Sequence, residues 1–188
     1  MTQCNRHIIV AVTGASGSIY ARLVLERLLA SEGVEAIGFI TSRRGAEVAK
    51  WEKVTLPEDP RIVRFDNDDM FASPASGSAR WDSMAVVPCS MGCMGRIASG
   101  VSGDLIARAA DVMLKEGRPL IVVPRETPMN LIHLRNLTAL AEAGAAVMPA
   151  SPSFYSHPAT VEDVCATVAD RIVSRLGIAC NSYEWGGK

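Results

Sequence analysis

Residues 7–20 read HIIVAVTGASGSIY, and this stretch decides the fold. Residues 7–13 (HIIVAVT) are an apolar run of strand length that stops at a glycine turn. Residues 18–30 follow at once as an almost wholly apolar helix, which has to be buried on most of its surface. A buried strand, a tight turn and a buried helix in that order open a βαβ unit.

Moving outward, the same alternation repeats. Strands are expected at 35–40, 84–87, 120–123 and 145–148, and helices at 45–54, 104–115, 130–143 and 160–176. Thr160 is placed to cap the last helix, and Glu162 and Asp163 suit its first turn. Val161, Val164, Val168 and Ile172 make its apolar stripe. Residues 55–83, rich in Pro, Asp, Ser and Gly, read as irregular. The pattern predicts one α/β domain over 1–188, a single doubly wound, Rossmann-like (flavodoxin-like) parallel sheet with helices on both faces. Its core spans about 7–178, and the short tail 179–188 carries Tyr183 and Trp185. Such sheets bind ligands at the carboxyl ends of their strands. The loops to inspect therefore follow Thr13, Ile40, Val87, Val123 and Met148.

Composition narrows the function. A chain of 188 residues fits one domain with an adequate core. A net charge of −1 is not the footprint of a nucleic-acid binder, and 5% aromatics supply little stacking surface for single strands. No apolar run approaches the length of a membrane span, and no signal peptide is read at the start. Five cysteines (Cys4, Cys89, Cys93, Cys165, Cys180) are an odd set, expected as free thiols in a reducing cytoplasm. Cys89 and Cys93 have poor zinc spacing and read as small buried hydrophobes. Asp66, Asp68 and Asp69 could form a magnesium box, but a polar turn fits their irregular setting better.

Three loops carry chemistry. The first, Thr13-Gly14-Ala15-Ser16-Gly17-Ser18, can present backbone N–H groups to an anion, or be a plain βα turn. A dinucleotide site would want a third glycine where Tyr20 stands, and Thr41 or Ser42 replaces the usual acid after the second strand, so hydride transfer with NAD is rejected. The second, Pro88-Cys89-Ser90-Met91-Gly92-Cys93, can form another anion nest or simply cap a helix. In the third, Pro124-Arg125-Glu126-Thr127-Pro128, two prolines hold Arg125 and Glu126 stiffly at the sheet rim. Asp104, Arg108, Asp111 and Lys115 share one helix face, either as a solvated salt-bridge ladder or as a grip for a phosphate between subunits. His133 reads as structural or as a hydrogen-bonding helper.

Together with VTGASGSIY (12–20), the segments ASGS (75–78), PCSMG (88–92), RAAD (108–111), LKE (114–116), VPRETP (123–128), LIHLRN (131–136), Phe154-Tyr155 and His157-Pro158 resemble the UbiX-like flavin prenyltransferases, formerly described as aromatic acid decarboxylases. The resemblance runs from about residue 7 to residue 178, with a shortened stretch between Lys53 and Phe71 and Cys93 where the family often has Thr. It implies a homo-oligomer, typically a dodecamer, with sites at subunit interfaces and no metal. It implies reduced FMN and dimethylallyl monophosphate as substrates, and prenylated FMN, joined at N5 and C6, as the product used by UbiD-type decarboxylases. By resemblance, Gly14, Ala15, Ser16, Ser42, Ser90, Met91, Gly92, Cys93 and Arg125 line the FMN site. Arg108, Lys115, Tyr155 and Arg171 hold the dimethylallyl phosphate, some from neighbouring chains. Ser16, Glu52 and Glu126 match the family's groups for proton movement around flavin N5, and Trp185 can stabilise allylic cation character. Two rival readings remain: a flavin-dependent cysteine decarboxylase of the same fold, echoed in Pro128-Met129-Asn130, and a non-catalytic flavin carrier.

Overall fold

The computed structural model describes residues 5–180 and Gly186; Cys4, Tyr183 and Trp185 lie outside the described residues. Among the described residues, six strands, β1 (Arg6–Val12), β2 (Val34–Thr41), β3 (Ile62–Asp66), β4 (Ser83–Cys89), β5 (Leu120–Pro124) and β6 (Ala146–Val147), form one sheet in the order β3-β2-β1-β4-β5-β6. Every pairing is parallel. The chain winds outward from β1 in one direction through β3 and then in the other through β6, which puts the switch point between β1 and β4.

The described residues form six α-helices that cover the sheet: α1 (Ser18–Ala30), α2 (Arg43–Trp51), α3 (Met91–Ala98), α4 (Leu105–Lys115), α5 (Leu131–Glu142) and α6 (Val161–Arg175). Strand β1 shows why both faces need cover. Ile8, Val10 and Val12 pack into a cluster with residues of α1 and α6, whereas Ile9 and Ala11 point into a second cluster built with α3 and α4. Each of the Ile and Val side chains so enclosed contributes about 1.5–3 kcal/mol relative to exposure, so the strand is held from two sides.

Most of the expected elements are present within a residue or two, and α1 has the expected bounds. Two elements were not foreseen. Strand β3 lies inside the stretch expected to be irregular, at the sheet edge, where Val63 and Arg64 stay exposed and the apolar signal is weak. Helix α3 follows Ser90 directly, and its two glycines, Gly92 and Gly95, mask its helical period. The stretch is also anchored by Trp81, which is buried edge-on against Phe65 and donates from Nε1 to Ser73 Oγ at 3.1 Å. In α6, Thr160 caps as expected, but Val161 is 75% exposed; the buried face is Cys165, Val168, Ala169, Ile172 and Val173. Cys89, Cys93 and Cys165 are buried free thiols. Among the described residues, no helix is long and apolar enough to cross a membrane.

Candidate functional site

The carboxyl ends of β1, β2, β4 and β5 are laced together before any side chain is considered. Ser42 N–H donates to Val12 O at 2.9 Å, and Arg125 N–H to Cys89 O at 3.4 Å. Thr13 stitches the switch point itself: its Oγ1 donates to Pro88 O at 2.9 Å and accepts from Ser90 N–H at 2.7 Å. The first loop (13–18) and the second (88–93) are thus fixed side by side.

Two helices begin on this rim. Ser42 caps α2 by accepting from Gly45 N–H at 3.1 Å, and Ser90 caps α3 by accepting from Cys93 N–H at 3.4 Å. Each hydroxyl keeps its proton for an outside acceptor. Gly45 is required here, since a Cβ would come within 2.7 Å of Val12 O. A cavity of about 500 Å³ lies between the two helix starts, lined by Thr13, Gly14, Ser42, Ser90, Gly92 and Cys93, with the cations Arg43, Arg44 and Arg96. Two helix N-termini and three guanidiniums converging on one space favour an anion strongly.

A larger cavity of about 890 Å³ continues from it past Gly14, Arg43 and Arg44 to Ser16, Val48, Trp51, Glu52 and Arg125. Arg125 is held over the first loop by a bond from Nε to Ser16 O at 3.3 Å. Glu52 accepts from Gly17 N–H and Ser18 N–H, both at 2.8 Å, so its carboxylate closes the N-terminus of α1. Burial pushes the Glu52 carboxyl up, but the hydrogen bonds from the Ser16 hydroxyl and these two N–H groups outweigh it and hold it below the usual carboxylate range. Of the two readings open for the first loop, an anion nest or a plain βα turn, three of its N–H groups favour the turn. Gly17 and Ser18 already serve Glu52, and Ala15 N–H is turned back onto Thr13 O at 2.8 Å. Gly17 adopts φ 111°, which a residue with a side chain resists.

Gly14, Ser16, Ser42, Ser90, Gly92, Cys93 and Arg125 all line these two cavities, as does Glu52. Ala15 is buried beneath the loop, and Met91 packs against the core on the α3 side. Cys89, below Cys93, has its thiol pushed up by a hydrogen bond with Cys93 and by burial. Glu126 lines neither cavity. It turns back and accepts from Thr127 N–H at 2.9 Å.

The four residues expected to hold a prenyl phosphate are also outside both cavities. Arg108 pairs with Asp111 at 2.7 Å and donates from Nε to Ala75 O at 3.1 Å. Lys115 pairs with Glu116 beside Gly77. Both therefore flank the loop 73–78 at the far side of α4, while Tyr155 and Arg171 are exposed elsewhere. The ladder reading of α4 holds only for Arg108 and Asp111, since Asp104 caps α4 and binds Arg96 instead. His133 belongs to the first turn of α5, where it completes a capping box with Asn130.

Sequence reasoning missed Arg43, Arg44, Arg96 and Trp51. A signal for the first two was present: α2 opens with two cations and no acid in its first turn, against the preference of a helix dipole. Such a start is tolerated where an anion is expected to sit.

Comparison with known proteins decides the family. Residues 2–175 match the family model Flavoprotein. The chain is 42% identical to the flavin prenyltransferase UbiX of Synechocystis sp., over 96% of this chain and 96% of that one.

The chain belongs to the UbiX flavin prenyltransferase family.

Solved structures agree. AnUbiX in complex with FMN and dimethylallyl pyrophosphate matches with a TM-score of 0.90 and 37% identity, over 98% of this chain and 99% of that one. A dodecameric FMN-dependent UbiX-like decarboxylase from Escherichia coli O157:H7 matches with a TM-score of 0.88 and 36% identity, over 96% and 100%. The doubly wound, flavodoxin-like α/β sheet is thus that of the UbiX family.

Proposed function

We propose that the protein is a metal-independent flavin prenyltransferase that joins the dimethylallyl group of dimethylallyl monophosphate to N5 and C6 of reduced FMN. The observation that carries this is the pair of cavities at the switch point that share Gly14, Arg43 and Arg44, one cationic between two helix starts and the other lined by Ser16, Arg125 and Glu52. The donor set fits FMN: Ser42, Ser90 and the guanidiniums of Arg43, Arg44 and Arg96 suit its phosphate, and Arg125 and Ser16 suit a polar ring edge. Bound reduced flavin supplies the nucleophilic nitrogen and carbon.

The chain's own groups do the rest. Ser16 and Glu52 line the same cavity, which sets the Ser16 hydroxyl to pass a proton to or from the flavin edge. Because the Glu52 carboxyl is held low, it stays ionised at neutral pH and keeps the start of α1 closed beside that hydroxyl. Glu126 serves as the second proton carrier once it leaves Thr127 N–H. Arg108, Lys115, Tyr155 and Arg171 gather around the leaving phosphate from neighbouring copies in a homo-oligomer, a dodecamer as in the Escherichia coli relative. The positive charge of Arg108, Lys115 and Arg171 takes the role a divalent cation would otherwise fill as the C–O bond breaks and inorganic phosphate departs, and Tyr155 can donate a hydrogen bond to it. The product passes to a UbiD-type decarboxylase in the cytoplasm.

Mass spectrometry of flavin after anaerobic incubation with reduced FMN tests the reading directly. The monophosphate should yield prenylated FMN, with or without EDTA. Turnover of the diphosphate alone would change the donor. Release of CO2 from a cysteinyl peptide, or flavin binding with neither donor consumed, would replace the reading with a cysteine decarboxylase or a carrier. Light scattering should report an assembly; a monomer would remove the shared phosphate site.

A further inference from the structure

Trp51 is the last residue of α2 and stands 89% exposed, although most of the chain's large apolar side chains are enclosed. It is not stray surface. It lines the 890 Å³ cavity together with Ser16, Glu52 and Arg125. The cavity-facing residues of α2 are Arg43, Arg44, Glu47, Val48 and Trp51, a spacing that places them along one side of the helix. That side changes character along its length. Cations stand at the start, beside the Ser42 cap, and an apolar pair, Val48 and Trp51, at the end. At 1.5 Å per residue the two ends are about 12 Å apart. A ligand lying along α2 therefore meets charge at one end and an indole face at the other.

Trp51 is also fixed relative to the first loop. The next residue, Glu52, is bound to Gly17 and Ser18 N–H, and its own N–H returns to Val48 O at 2.8 Å. The backbone that carries the indole thus cannot swing away from Ser16 without breaking the closure of α1.

Building on the proposed function, we infer that Trp51 is a stacking residue for the flavin: its indole lies against the isoalloxazine ring and sets the ring plane with respect to Ser16 and Arg125. Phosphate at the cationic end and a broad aromatic ring, planar and electron-poor in the oxidised flavin, at the indole end match the polarity of α2. An electron-rich indole is the side chain best suited to that ring, and stacking needs no hydrogen-bond partner.

The test uses the full-length protein and oxidised FMN. Wild type should show a broad long-wavelength absorbance on binding, from charge transfer between indole and flavin. Trp51→Ala should lose that band and bind FMN about tenfold more weakly, a change of about 1.4 kcal/mol, with unchanged circular dichroism and unchanged assembly mass. Trp51→Phe should recover most of the affinity and little of the band. Wild-type affinity and spectrum in Trp51→Ala would overturn the inference, and so would a changed assembly mass with an unchanged spectrum, which would make Trp51 a subunit contact. Failure of wild type itself to bind FMN would remove the proposed function as well, which separates the two failures.

Discussion

Glu52→Ala is the most informative single change, because its cost can be worked from the contacts. The carboxylate accepts two N–H bonds at the start of α1, from Gly17 and Ser18. A hydrogen bond to a charged group is worth about 1.5–3 kcal/mol, and loss of a cap at a helix start typically about 1 kcal/mol. Two bonds at face value would give roughly 3–6 kcal/mol. The group is only partly buried, however, so water replaces much of what is lost, and the estimate falls to about 2 kcal/mol. With a urea slope of about 2 kcal/mol/M, the midpoint should drop by about 1 M at fixed protomer concentration. Glu52→Gln keeps one acceptor oxygen and should lose about half as much. The pH dependence has a definite sign. The folded carboxyl is held below its ordinary value, so the stabilisation is present above the unfolded value of about 4.3 and is lost as pH falls through the lower folded value. Paired urea titrations of wild type and Glu52→Ala at pH 7 and at pH 3 check this: the gap should be full at pH 7 and shrink at pH 3. A midpoint shift below about 0.2 M at pH 7, against the 1 M worked from that slope, would refute the claim that Glu52 holds the helix start.

Ser90→Asp keeps a good helix cap for α3 but adds a carboxylate between Arg43, Arg44 and Arg96; FMN affinity by fluorescence titration should fall at least tenfold, and unchanged affinity would show that the phosphate lies elsewhere. Glu126→Gln should still bind FMN and the prenyl phosphate yet make prenylated FMN about 10²–10⁴-fold more slowly, whereas near-normal production would leave Glu126 with only its bond to Thr127 N–H. Chelation by EDTA should leave turnover unchanged; loss that magnesium restores would revive Asp66, Asp68 and Asp69 as a metal site.

The parts of the fold that were legible share one property: their signal is local and strong. An apolar run ending in a glycine turn reads as β1 whatever surrounds it, and Thr160 followed by two acids reads as the start of α6. The parts that were not legible depend on neighbours. Strand β3 exists because β2 offers a free edge, and Ile62 and Phe65 supply too little apolar pattern to announce it. Val161 looks like core by spacing but sits in the first turn of α6, beyond the reach of the sheet.

The site divides in the same way. From the chain order came the doubly wound sheet and the loops that matter, with Ser90 and Arg125 in them, since βα alternation dictates which strand ends face a ligand, while Ser42 came only from the resemblance to the family. Only the folded chain could show that Glu52, thirty-five residues after Gly17, spends its carboxylate on the start of α1, that three arginines from two helices share one cavity with the caps of α2 and α3, and that Glu126 turns away from it. Those facts are set by distances between segments remote in sequence, and no local propensity encodes them.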